Sequence, residues 1–227
     1  MSASSTDNGP LGLLGGTFDP VHVGHLRLAE EACEALQLAG VCLIPAGTPP
    51  HRPVPLASGA ERLAMVRLAC AGNPRLTVEA FEVCSPDKSY MVHTLLHLRE
   101  GLGPKRPLVL ILGTDAFLGL PGWHRWRELL GLAHIAVANR PGSTPGARSW
   151  PDALPAELAE LADGRIESDP AGLRRSPAGR IVPFEMTPLA ISASLIRDQL
   201  RCGRSPRYLL PDSVLDYIRR HHLYPGA

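Results

Sequence analysis

The residues of this chain best suited to chemistry lie in the run GGTFDPVHVGH, Gly15 to His25. Gly15 and Gly16 let backbone approach a ligand closely, and Thr17 offers a hydroxyl. His22 and His25 stand three positions apart, at the opening of a helical pattern. A helix start leaves backbone N–H groups without partners and favours anions. Two imidazoles at such a start would grip a polyphosphate. Two other readings stay open at this point: a metal pair, for which no nearby Cys or third His completes a set, and ordinary helix-start residues without chemistry. The run is neither GxGxxG nor GxxxxGK[ST] and holds no lysine, which argues against P-loop chemistry.

A second group is ISASLIR, Ile191 to Arg197. Ser192 suits a helix N-cap, Ser194 adds a hydroxyl in the first turn, and Arg197 follows one turn on. Hydroxyls, free N–H groups and one guanidinium make a second anion site.

Both groups need a scaffold. Leu11–Gly15 is a short apolar run, and Leu26, Ala29, Cys33 and Leu36 mark one face of a helix. Val41–Pro45 is a second short apolar run. This is a strand-loop-helix-strand unit of a parallel sheet. Helices are expected at Gly59–Ala71 and Val92–Leu102, and strands at Leu76–Ala80, Leu108–Leu112, Ile135–Ala138 and Ile181–Glu185. Arg140–Arg180 is rich in Pro, Gly and Ser and reads as loops with a short helix at Ala156–Leu161. Ser192–Leu200 and Asp212–His222 read as closing helices. The expected fold is α/β, a Rossmann-like doubly wound parallel sheet with a small C-terminal helical segment over about 186–227. Residues 1–10 are read as a tail and 11–227 as one domain. Ligands of such sheets sit at the carboxyl ends of the strands, which is where the Gly15–His25 loop falls.

Composition narrows the classes. Of 227 residues 44% are hydrophobic, enough for a real core, and the formal net charge is +1. That balance provides no basic footprint for nucleic acid and none for an anionic membrane. No stretch approaches the roughly 20 apolar residues of a membrane span, and MSASSTDNGP is not a signal peptide. Cys33, Cys42, Cys70, Cys84 and Cys202 are odd in number and include no CxxC, so reduced thiols and a cytoplasmic setting are expected.

The Gly15–His25 run resembles the signature of the nucleotidyltransferase superfamily with the HxGH motif. With the segments that follow, the chain is similar to bacterial nicotinate-nucleotide adenylyltransferases from Leu11 to Tyr224. The resemblance implies adenylyl transfer from ATP to nicotinate mononucleotide, giving nicotinate adenine dinucleotide and pyrophosphate, with Mg²⁺ arriving on ATP and no dedicated metal ligands. It implies an ATP site of Gly15, Gly16, Thr17, Phe18, His22, His25, Gly113, Asp115, Ile191, Ser192, Ser194 and Arg197, with His22, His25 and Arg197 catalytic. ISASLIR carries Ser194 where the family has threonine, and keeps the hydroxyl.

For the acceptor, the resemblance points to Thr17, to His51 and Arg52 of PPHR, and to Tyr90, Met91 and Thr94 of SYMVHTL at a helix start. It adds Trp123 and His124 of GTDAFLGLPGWHRW, and Arg140 of NRPG. Arginine binds phosphate with two parallel hydrogen bonds, and an indole face can stack on a pyridine ring. Trp123 follows a Pro-Gly turn and is read as a ring held outside the core. LLPDSVLDYIRRHHLY, residues 209–224, resembles the family's C-terminal segment and is assigned to the fold. A different phosphate acceptor such as nicotinamide mononucleotide or phosphopantetheine, a tRNA-linked activity and a non-catalytic ATP sensor are the alternatives. Homo-oligomerisation is compatible with this reading.

Overall fold

The computed structural model describes residues 9–49, 53–139 and 154–225. Its centre is a six-stranded sheet in the order β3-β2-β1-β4-β5-β6. The strands are β1 (Leu11–Gly16), β2 (Gly40–Pro45), β3 (Leu76–Val78), β4 (Leu108–Gly113), β5 (His134–Asn139) and β6 (Ile181–Glu185), and every pairing is parallel. The order reverses at β1 and β4, so the chain is doubly wound as the sequence predicts.

Side-chain alternation explains the layers. Leu14, Leu43, Val109 and Ile111 point to one face, where they meet Ala29, Cys33, Met65, Val66, Ile196, Val214 and Ile218. Leu13, Ile44, Leu108, Leu110 and Leu112 point to the other face, against Val92, Leu95, Phe117 and Leu129. The first layer is built from α1 (Val23–Ala35), α2 (Gly59–Cys70), α8 (Ala193–Arg201) and α9 (Asp212–Arg220). The second includes α4 (Met91–Leu102), α5 (Thr114–Leu118), α6 (Leu129–Leu132) and α7 (Ala156–Ala162). A further single turn, α3 (Phe81–Cys84), follows β3.

The main elements agree with the sequence reading to within one or two residues. The differences are short pieces: α3, α5, α6 and 3₁₀ turns at Leu120–Gly122, Trp126–Glu128 and Pro170–Arg174. Pieces of three to five residues are shorter than the period that would reveal them. Cys33, Cys42 and Cys70 are buried, while Cys84 and Cys202 are exposed. Among the described residues no helix is long and apolar enough to cross a membrane.

One detail of the sheet matters for the site. β1 and β4 pair only from Leu11↔Leu108 to Leu13↔Leu110. Both strands then continue, to Gly16 and Gly113, paired with β2 and β5 but no longer with each other. The sheet splits at its carboxyl edge where the connections run to opposite faces, and that split is the natural crevice for a ligand.

Candidate active site

His22 is the N-cap of α1 and His25 is its third residue. The spacing stacks the two rings, with centroids 3.7 Å apart and planes at 24°. The His22 backbone N–H donates to His25 Nδ1 at 3.3 Å. That nitrogen must be unprotonated to accept, so a neutral His25 ring carries its proton on Nε2, the atom left free to donate. Burial pushes the His22 pKa down to about 4, and burial with the neighbouring His22 pushes His25 down to about 3. Both rings are therefore neutral at pH 7, hydrogen-bond donors rather than fixed cations. His22 Nδ1 is buried and has no hydrogen-bond partner among the described residues. Gly24 lies against this pair: a side chain there would come within 3.1 Å of His22 Nδ1 and 3.9 Å of Ile191 Cβ. A side chain at the glycine of HVGH would thus crowd the His22 ring, while Ile191 of the second motif lies at ordinary packing distance.

The loop leading to these rings is held from several sides. Phe18 has a left-handed φ of 51°, and its ring meets the His25 ring edge-on at 4.9 Å. The Asp19 carboxylate accepts the Leu56 N–H at 2.9 Å, the Ala57 N–H at 3.1 Å and the Tyr224 hydroxyl at 2.7 Å. Arg62 is 1% exposed and donates to the carbonyls of Thr17 at 2.7 Å, Gly47 at 2.9 Å and Ala57 at 3.2 Å. Burial lowers the Arg62 pKa and the nearby Asp19 carboxylate raises it.

The second motif reaches this loop directly. Ser192 caps α8, its Oγ accepting the Leu195 N–H at 3.1 Å. Arg197 donates to the Asp19 backbone carbonyl at 2.6 Å and to Ser194 Oγ at 3.2 Å. Upstream, the Thr187 N–H and hydroxyl donate to Glu31 on α1 at 2.8 and 2.5 Å. The structure therefore brings Gly15, Gly16, Thr17, Phe18, His22, His25, Ile191, Ser192, Ser194 and Arg197 into one region. Gly113, the N-cap of α5, and Asp115 in its first turn stand on the β4 side of the split.

The acceptor candidates divide. Tyr90 caps α4 and Met91 is its first residue. The Tyr90 ring lies 4.4 Å from the exposed His124 ring, which ties the Trp123–His124 segment to the α4 start. Ser89 Oγ accepts the Gly47 N–H at 2.8 Å and the Thr48 N–H at 3.2 Å, so the segment after β2 is anchored beside them. Trp123 differs from expectation: its ring is half-buried and packs on the second core layer. Thr94 is fully buried, and its hydroxyl donates to Glu82 at 2.6 Å, so it supports the α4 start from inside. His51, Arg52 and Arg140 lie outside the described residues.

Asp19, Arg62, Glu31, Ser89 and Tyr224 also support the site, and their motifs in the sequence do not single them out. For Arg62 a signal was present: it shares one face of α2 with the buried Met65 and Val66 at helical spacing. A cation on an apolar face calls for an internal partner.

Comparison with known proteins agrees with this geometry. The cytidylyltransferase-like family matches residues 13–199. A probable nicotinate-nucleotide adenylyltransferase of Dechloromonas aromatica is 57% identical over 218 residues, covering 96% of this chain and 99% of that protein. One from Aeromonas salmonicida is 47% identical over 215 residues, covering 95% and 97%. Among solved structures, the nicotinic acid mononucleotide adenylyltransferase of Plasmodium falciparum complexed with NaAD superposes with a TM-score of 0.66 at 14% identity, covering 95% and 97%. A putative nicotinate-nucleotide adenylyltransferase of Vibrio parahaemolyticus gives 0.61 at 13%, covering 96% and 97%. At such low identity the structural likeness carries the fold, and the sequence identity carries the family.

Proposed function

We propose, for a chain that belongs to the cytidylyltransferase-like family and within it to the nicotinate-nucleotide adenylyltransferases, that the site transfers the adenylyl group of ATP to the phosphate of nicotinate mononucleotide. The products are nicotinate adenine dinucleotide and pyrophosphate. The observation that carries the reading is the stacked His22–His25 pair at the start of α1, beside the split between β1 and β4 and joined to Arg197 through Asp19.

The acceptor phosphate attacks the α-phosphorus in line and pyrophosphate leaves. A phosphate monoester has a second pKa of about 6 and is mostly dianionic at pH 7, so the nucleophile needs no general base. The chain's task is then to orient the phosphates and stabilise charge that grows on them. His25 donates through Nε2–H, and the neutral His22 ring donates through its one N–H. A neutral imidazole at a helix start can act as an electrophile in this way. Bound polyphosphate raises the pKa of both rings, since nearby anions favour the charged form. Arg197, Ser194 and the free N–H groups of the α8 start hold the outgoing phosphates. Preorganised donors of this kind are worth about 3–4 kcal/mol each in the transition state.

Mg²⁺ enters this reading with the triphosphate. Among the described residues no group of three or more His, Cys, Asp or Glu could hold a metal ion. The carboxylate of Asp19, in the same loop, has both oxygens occupied by protein donors. The ion, when bound, neutralises phosphate charge, and no residue is assigned to hold it. On the acceptor side, Trp123 offers one face to the pyridine ring beside Tyr90, Met91 and His124, and Thr17, His51, Arg52 and Arg140 are assigned to its phosphate. Three buried thiols among the five cysteines suit the cytoplasm, where ATP and the mononucleotide occur.

Pyrophosphate release from Mg²⁺-ATP tests the reading, with nicotinate mononucleotide, nicotinamide mononucleotide and phosphopantetheine as acceptors. Release that is strong with the first alone is expected. Release only with another acceptor contradicts the acceptor assignment, and none with any contradicts the reaction.

A further inference from the structure

The C-terminal segment from Leu209 to Tyr224 has so far been given no part in the chemistry, yet its two ends close on the Gly15–His25 loop. At one end, the Leu209 carbonyl accepts the Val23 N–H at 2.9 Å and so holds the start of α1. At the other, the Tyr224 hydroxyl donates to Asp19 Oδ1 at 2.7 Å, across 205 positions of chain. Tyr224 is 5% exposed and has a left-handed φ of 58°. A bulky side chain keeps that backbone conformation only where its surroundings impose it.

The Asp19 carboxylate is itself 6% exposed and is shared three ways, by Tyr224, by Leu56 and by Ala57. The residue before it, Phe18, is also left-handed and leans on His25. The backbone carbonyl of Asp19 is the acceptor for Arg197. One buried hydroxyl therefore bears on a carboxylate that orients the His25 ring, the Arg197 guanidinium and the Leu56–Ala57 segment together.

We propose that Tyr224 is a positioning residue of this site: through the Asp19 carboxylate it fixes the turn that seats Phe18 against His25 and Arg197 against the loop. The C-terminal segment is then part of the catalytic apparatus as well as of the fold. This rests on the adenylyl-transfer reading of the same loop. Charge-assisted hydrogen bonds in a buried setting are strong and directional, and a buried carboxylate that loses one of its donors shifts toward those that remain. A displacement of about 1 Å at a catalytic group can cost up to about 100-fold in rate.

Tyr224→Phe keeps the ring and removes only the hydroxyl. At a temperature where circular dichroism shows the variant fully folded, kcat is expected to fall about tenfold, within that range. The His25 imidazole resonances, followed by NMR without substrate, are expected to shift. Asp19→Ala gives a second variant, which removes the acceptor outright, and Tyr224→Phe added to it should lower kcat no further, because both changes break the same tie. Tyr217→Phe on α9, whose ring stacks on His221 rather than on the loop, serves as the control and should leave kcat and the His25 resonances unchanged. A lower melting temperature with wild-type kcat and unmoved His25 resonances in Tyr224→Phe overturns the proposal, as does full additivity with Asp19→Ala. The NMR arm needs no turnover, so a wild-type protein that releases no pyrophosphate would contradict the functional reading while His25 still decides on the tie.

Discussion

Replacing Arg62 tests whether the site is held by internal polar contacts rather than by its motifs alone. In Arg62→Met the apolar stem is roughly preserved, but three donors vanish from the carbonyls of Thr17, Gly47 and Ala57. Hydrogen bonds to charged groups contribute about 1.5–3 kcal/mol each, a gross loss of about 5–9 kcal/mol. Part of that is offset, because a buried guanidinium carries a desolvation cost that methionine does not. A buried carbonyl left without its donor costs about 1–3 kcal/mol, so with that offset a net loss of about 3–5 kcal/mol is expected from the three. For a chain of this size each kcal/mol moves the melting temperature by about 2–4 °C, so a drop of about 6–20 °C is expected. Urea unfolding at pH 7.5 gives the free energy directly, and an unchanged m-value would show that the same structure is being unfolded. Arg62→Lys should recover only part of the loss, since a compact ammonium cannot span carbonyls on three segments as the planar fork does. A loss under about 1 kcal/mol for Met, or full recovery by Lys, refutes the reasoning.

Three further outcomes follow from the same structure. Trp123→Ala should raise KM for nicotinate mononucleotide about tenfold or more and leave KM for ATP near its wild-type value, since base–aromatic stacking contributes about 1–3 kcal/mol; steady-state kinetics in both substrates checks this. Ser192→Ala removes the cap of α8 and should cost about 0.5–2 kcal/mol in urea unfolding. Acidification should destabilise the protein through its buried histidines: both titrate near 6.5 when unfolded but at about 4 and about 3 when folded, so the unfolded chain binds more protons below 6.5. Their full stability is present above 6.5, and about 2 kcal/mol for each is lost between pH 7 and pH 5. Burial lowers His134 in the same direction, so the readout is the difference between the wild type and a His22→Asn, His25→Asn double variant, whose loss on acidification should be smaller.

What could be read from the sequence was local. The strand Ile181–Glu185 and the run Leu108–Leu112 announce themselves by composition, and α1 by the spacing of Leu26, Ala29, Cys33 and Leu36. GGTFDPVHVGH and ISASLIR place their donors within one or two helical turns, so type and spacing suffice to suggest a phosphate site. The supports were not legible because they join distant positions: Thr187 to Glu31 across 156 residues, Arg62 to Thr17 across 45 and Tyr224 to Asp19 across 205. Nothing in the local pattern around Asp19 says that its carboxylate serves three segments. Thr94 shows the converse, since its position in a motif suggested a ligand contact while its burial gives the hydroxyl to Glu82. The neutral state of the histidines was hidden for the same reason, because burial depends on what packs over them.

The account turns on the His22–His25 pair, and His25→Ala is its most direct test. The measurement is kcat for pyrophosphate release from Mg²⁺-ATP and nicotinate mononucleotide, on protein shown to be folded by circular dichroism. Loss of one preorganised donor should lower kcat on the order of a hundredfold or more, with substrate affinities changed far less. A folded His25→Ala protein with near-normal turnover would contradict the assignment of this site as the place where the adenylyl group is transferred.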